Sequence, residues 1–155
     1  MRTILRRLGT FARMPWAERF AWAESTVLFW WFTAALKVIP FRRFKRLLGP
    51  PGEKDRPGER EPSDPAPPQV RTVARWLRRI ARRHDDTCLA QALAGRVMMR
   101  RRGLASTVSF GVREDDGGDL KFHAWLVHDD RVITGGGGLR AFSVISTFYD
   151  DRVAR

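Results

Sequence analysis

The sequence predicts an α+β protein. Two changes in pattern carry this reading. Up to Gly103 the apolar residues recur at three- and four-residue spacing, with one Pro-rich interruption between Gly49 and Gln69. After Gly103 they alternate with polar residues, and short strand-like runs are separated by Asp- and Gly-rich turns. Helices followed by an antiparallel meander form an α+β arrangement. The chain divides into an N-terminal helical region over 1–47, a linker over 48–69 and a core over 70–155.

The elements follow in order. Residues 3–13 and 16–38 read as helices. Pro15 suits the first turn of the second, and Pro40 ends it. Residues 41–47 add a short basic turn. Gly49 to Gln69 holds seven of the nine prolines and cannot bury a core, so it reads as extended or disordered. From Val70 to His84 the helical period returns, with Val70, Val73, Trp76, Leu77 and Ile80 on one face and Arg on the other. Asp85, Asp86 and Thr87 are residues that open helices, because their side chains accept bonds from free first-turn N–H groups. The helix from Cys88 runs to Arg102 and stops at Gly103. Ala105 to Arg113 is the first strand, residues 115–119 a turn, Leu120 to His128 the second strand, Asp129-Asp130 a tight turn and Arg131 to Thr134 the third. Four glycines follow, and Phe142 to Tyr149 forms a strand or a short helix.

Composition narrows the classes. A chain of 155 residues holds one domain plus extensions, and 43% hydrophobic residues exclude wholesale disorder. One cysteine excludes an intrachain disulfide and points to a reducing compartment, the cytosol. One Cys and three His do not suit a zinc site of about four ligands. The net charge of +12 is concentrated in two stretches: residues 1–47 and 70–103 each carry ten bases and two acids. Such a field attracts nucleic acid, anionic lipid or an acidic polypeptide. Nucleic acid fits least, since the Arg-rich helices lack interleaved aromatics apart from Trp76. The most apolar run, Ser25 to Leu36, is 12 residues, shorter than the roughly 20 that span a bilayer. Its cluster Phe29, Trp30, Trp31, Phe32, followed by Arg42, Arg43, Lys45 and Arg46, leaves peripheral membrane contact open.

One pair carries chemistry. Cys88 opens a helix, where free N–H groups and a partial positive charge favour thiolate over thiol. The same N–H groups suit the oxyanion of a tetrahedral intermediate. His123, 35 residues later on the second strand, supplies the base. A helix-borne Cys packed on a sheet that offers a His is the layout of papain-like and transglutaminase-like cysteine enzymes.

The segments Asp86 to Leu93 (DTCLAQAL), Gly103-Leu104, Phe110 to Arg113 (FGVR) and Phe122 to Leu126 (FHAWL) together resemble the lasso peptide biosynthesis B protein family. The resemblance covers about residues 70–138. It implies a transglutaminase-like cysteine protease fold with Cys88 and His123 as catalytic residues. It implies a leader peptidase that cuts the leader from a ribosomally made precursor peptide, needing no cofactor or metal, and hands the core peptide to an ATP-using lasso cyclase. Some members carry a fused leader-recognition domain that resembles the PqqD protein. With 155 residues occupied by helices, linker and core, this chain reads as the split form, served by a separate PqqD-like recognition protein.

The third catalytic member stays open. A Gly117-Gly118 turn places Val112 opposite His123 and Glu114 on the diagonal. A two-residue Asp129-Asp130 turn sets His128 against Arg131 and His123 against Gly136, with Thr134 diagonal. Asp129 then lies about 20 Å along the strand from His123 at roughly 3.3 Å per residue. Glu114, Asp129, a backbone carbonyl and Thr134 are the candidates for orienting the imidazole. Arg82 stands six residues before Cys88, where papain-like enzymes place a Gln oxyanion donor, so backbone N–H groups serve alone. The Arg faces of residues 71–83 and 96–102 are candidates to dock an acidic leader or the recognition partner. Two rival functions share these residues: a transglutaminase-like scaffold without catalysis, and an acyltransferase.

Overall fold

The computed structural model describes residues 14–52, 65–82, 84 and 87–150. The helix expected over 3–13, the acids Asp85 and Asp86 and linker residues 53–64 lie outside them. Four α-helices are described: α1 (Trp16–Val38), α2 (Lys45–Leu48), α3 (Pro68–Ala81) and α4 (Cys88–Arg101). A 3₁₀ turn (Phe41–Phe44) leads into α2. The strands are β1 (Thr107–Glu114), β2 (Leu120–His128), β3 (Arg131–Thr134) and β4 (Ser143–Tyr149). The open alternative for the last segment resolves as a strand.

The sheet runs β3-β2-β1-β4 and is antiparallel throughout. Asp129 and Asp130, with φ of 45° and 60°, form the tight turn between β2 and β3, whose mirror-image twist matches the strands. The start of the linker is ordered rather than free. Pro50 to Gly52 runs beside β4, with Gly52 N–H donating to Thr147 O at 3.1 Å and Tyr149 N–H to Pro50 O at 3.2 Å. That covers an edge which would otherwise be open to pairing.

Helix α4 is buried nearly all round, from Ala90 to Arg96 and again at Met98 and Met99, because it lies between α1 and α3 on one side and the sheet on the other. Gly95 permits this close approach: a Cβ there would sit 2.6 Å from Leu126 Cδ2 and 3.1 Å from Leu77 Cδ1. Helix α3 is amphipathic as its period predicts, burying Val70, Val73, Trp76 and Leu77. Phe32, Ala35, Phe44 and Leu48 enter the same core as Val73, Leu93 and Val108. The helices before the linker and the core after it therefore share one apolar interior.

Many of the arginines are structural. Glu24 of α1, 7% exposed, pairs with Arg101 (3.0 Å) and Arg102 (2.7 Å) at the end of α4. Glu18 holds Arg75, Thr72 and the Trp76 indole N–H of α3. Fully buried Arg96 donates to the carbonyls of Leu47, Leu48, Ser106 and Phe148, and Arg100 pairs with buried Asp150 at 2.7 Å. The basic face of 96–102 is thus turned largely inward. Among the described residues no helix is long and apolar enough to cross a membrane.

Candidate active site

Cys88 is the first residue of α4, and Thr87 is its N-cap. The Thr87 hydroxyl does not cap the helix. It donates to His84 O at 2.9 Å and accepts from Gln91 Nε2 at 3.1 Å, bracing the turn that delivers the cysteine. Strand β3 ends at Thr134, so β2 has no strand neighbour on that side next to Ala124 and His123. The N-terminus of α4 meets the sheet there. The Cys88 thiol faces the His123 imidazole and the backbone N–H groups of Ala124 and Leu89, close enough for all three to act on its ionisation.

These contacts set the electrostatics. Burial pushes the Cys88 thiol up. The His123 hydrogen bond, the Ala124 N–H, the imidazole's charge and the Leu89 N–H pull it down further, leaving it below its ordinary value of 9.0. The His123 imidazole moves the other way. Its bond to Cys88 raises it, burial opposes, and the Gly135 carbonyl and the thiolate charge add to the rise, leaving it above 6.5. Both shifts favour a thiolate–imidazolium pair.

The imidazole is held by a main-chain carbonyl. His123 Nε2–H donates to Gly135 O at 2.8 Å, which leaves Nδ1 for the cysteine. Its ring lies between Trp125 (centroids 6.0 Å apart, stacked at 23°) and Phe142 (5.1 Å). Trp125 is 1% exposed and lies across Gly111, the residue paired with His123. A Cβ on Gly111 would sit 2.8 Å from the indole.

The structure brings Cys88 and His123 together and leaves the two candidate acids elsewhere. Glu114 is not the diagonal neighbour of His123. Gly111, not Val112, stands opposite His123, and Glu114 pairs with Leu120. The reason is the turn. The Asp115 carboxylate accepts the Gly117 and Asp119 N–H groups, and Asp115 N–H donates to Asp119 O, so the loop takes five residues rather than two. A one-residue slip reverses every facing, and Glu114 lies on the other side of β1 from Gly111. Asp129 sits in its turn against His128, with 3.3 Å from Oδ2 to Nε2. His128 also donates from Nδ1 to Ala105 O at 2.6 Å. Thr134 does not hold the imidazole either: its buried hydroxyl has no hydrogen-bond partner among the described residues. The pairing of His128 with Arg131 is as the turn predicts, but a bulge at Leu126/Val127 moves Thr134 opposite Leu126 and carries Gly135 to the ring.

Gly135 and Phe142 were the site residues that pattern reading missed. The run of four glycines marked a stretch of unusual backbone, and Gly135 indeed takes φ +74°. Nothing in the sequence indicated which carbonyl it would present. Among the described residues, no group of three or more His, Cys, Asp or Glu converges in a way that could hold a metal ion.

A helix-borne Cys facing a strand-borne His on an antiparallel sheet is a cysteine-protease-like arrangement. A family model described as the transglutaminase-like superfamily matches residues 34–147. The chain belongs to the transglutaminase-like superfamily. No curated protein and no solved structure matches it. The transglutaminase-like match begins within α1 and runs through the linker to β4, so it spans both Cys88 and His123.

Proposed function

We propose that the chain is a cysteine peptidase that removes the leader from a lasso precursor peptide. The observation that carries the peptidase reading is the Cys88–His123 pair at the N-terminus of α4. The choice of substrate rests on the segments around Cys88, Gly111 and His123 that resemble the lasso B proteins. A separate PqqD-like protein delivers the leader, and a cyclase takes the core peptide.

The chemistry follows from the groups in place. The Cys88 thiolate attacks the carbonyl carbon at the leader–core junction. The first-turn N–H groups of α4 take the resulting oxyanion. The His123 imidazolium gives its Nδ1 proton to the leaving amine, the C–N bond breaks, and the leader remains as a thioester. Water, deprotonated by His123, attacks the thioester. The leader leaves as a carboxylic acid and Cys88 is regenerated. Gly135 O keeps Nε2 protonated and the ring oriented throughout, the role an acid fills in a triad.

Incubating the protein with precursor peptide and recognition protein, and following leader release by mass spectrometry, tests this. Cys88→Ala and His123→Ala should each lower the rate by about a thousandfold or more. Glu114→Ala should cut like the unmodified chain. Binding of precursor and recognition protein without cleavage would favour a scaffold. Cleavage that survives Cys88→Ala would name the wrong nucleophile.

A further inference from the structure

We propose that the outer face of α1 docks in the plane of an anionic membrane surface. Helix α1 is apolar on two faces. Ala21, Phe29, Phe32 and Ala35 are buried on the inner one. Trp16, Phe20, Val27, Trp30, Trp31 and Val38 are each between 50% and 80% exposed. At 3.6 residues per turn these six fall within an arc of about 100°, along a helix of 23 residues and about 35 Å. A stripe of that length on a water-facing helix requires a cover.

Charge selects the cover. The two acids of α1, Glu18 and Glu24, are both turned inward onto partners on α3 and α4. Among the described residues, the exposed ionisable groups at the end of the stripe are cationic: Lys37 on α1, then Arg42 and Arg43 in the turn that follows and Lys45 at the start of α2. Tryptophans above a basic margin suit the headgroup boundary of an anionic bilayer. A second copy fits poorly, because pairing this face with itself brings two such margins together on chains of +12 each. Trp30 also rests edge-on against His84, at 4.9 Å, so the docked face borders the segment that leads into Cys88. The proposal does not depend on the peptidase reading.

Sedimentation of the full chain with phosphatidylcholine vesicles, with and without phosphatidylglycerol, tests it. The expected result is partition onto the anionic vesicles that weakens with salt. Brominated lipids should quench the tryptophans. Four of the six tryptophans lie on α1, while Trp76 and Trp125 are 5% and 1% exposed, so quenching reads this helix. The double variant Val27→Asp, Trp31→Asp should lose about tenfold or more in partition while melting at the same temperature. Replacing Arg42 and Arg43 by Glu should cost about fivefold or more per residue on anionic vesicles alone. Absence of partition, or partition unchanged in the Asp variant, overturns the proposal. So does self-association, or capture by the leader-recognition protein, that the Asp variant abolishes without any vesicle binding. If the Asp variant melts early, quenching in the unmodified chain decides.

Discussion

His123 has two ring nitrogens, and a main-chain carbonyl takes one of them. Nε2 is committed to Gly135 O, so the proton that matters to Cys88 resides on the other. Thiol and imidazole titrate as a pair, and both shifts widen the interval in which thiolate and imidazolium coexist. Cleavage should therefore follow a bell. Its acid limb, where the thiolate forms, lies below the usual thiol value of 9.0, and its alkaline limb, where the imidazolium is lost, lies above the usual imidazole value of 6.5. The direct check is alkylation of Cys88, the sole cysteine, against pH. In His123→Ala the largest lowering contact is gone while burial persists. The midpoint should move up toward 9.0. An unchanged midpoint would mean that the helix terminus alone depresses the thiol.

At the scale of elements, position depends on how strands and turns count residues. Helix α4 delivers Cys88 to the edge of β2, and a bulge in the β2–β3 pairing advances the chain by one residue so that Gly135 meets His123. Gly135 has φ +74°, and a Cβ there would lie 2.8 Å from Ala124 O and 3.2 Å from His123 Nε2. Gly135→Ala should destabilise the fold by roughly 2 kcal/mol, from left-handed strain and the backbone clash. It should also shift the alkylation midpoint of Cys88, which a purely structural lesion would leave in place. A denaturant titration beside the alkylation curve separates the two. The strands themselves were legible from alternation and turn residues. Their register was not, because one carboxylate, that of Asp115, determines whether the β1–β2 loop takes two residues or five.

Across the whole molecule, the helices before the linker and the segment after it are joined through α4. Arg96 is the tightest of these joints. It is fully buried and binds main-chain carbonyls of α2, β4 and the segment ahead of β1, with Asp150 3.9 Å away. Removing one partner from such a cluster leaves the others desolvated without compensation. Arg96→Ala should cost about 3–5 kcal/mol, visible as a lower denaturant midpoint. Arg96→Lys should recover only part of that, since an ammonium cannot reach several carbonyls with a planar fork. A midpoint unchanged in Arg96→Ala would show that this junction does not hold the two parts together.

Sequence alone determined the class of fold, the helix that begins at Cys88 and the strand that carries His123. These follow from local period, from the turn residues and from the single cysteine, all of which act over a few neighbours. It also brought the two residues forward as a pair, because a helix terminus and a strand base are chemically complementary. Tertiary structure decided what holds the imidazole, which arginines face inward and which face of α1 is left uncovered. Those depend on register, bulges and the burial of carbonyls. One residue more or less in a turn reverses a side chain's facing, and a backbone carbonyl leaves no mark in the identity of the residue that bears it.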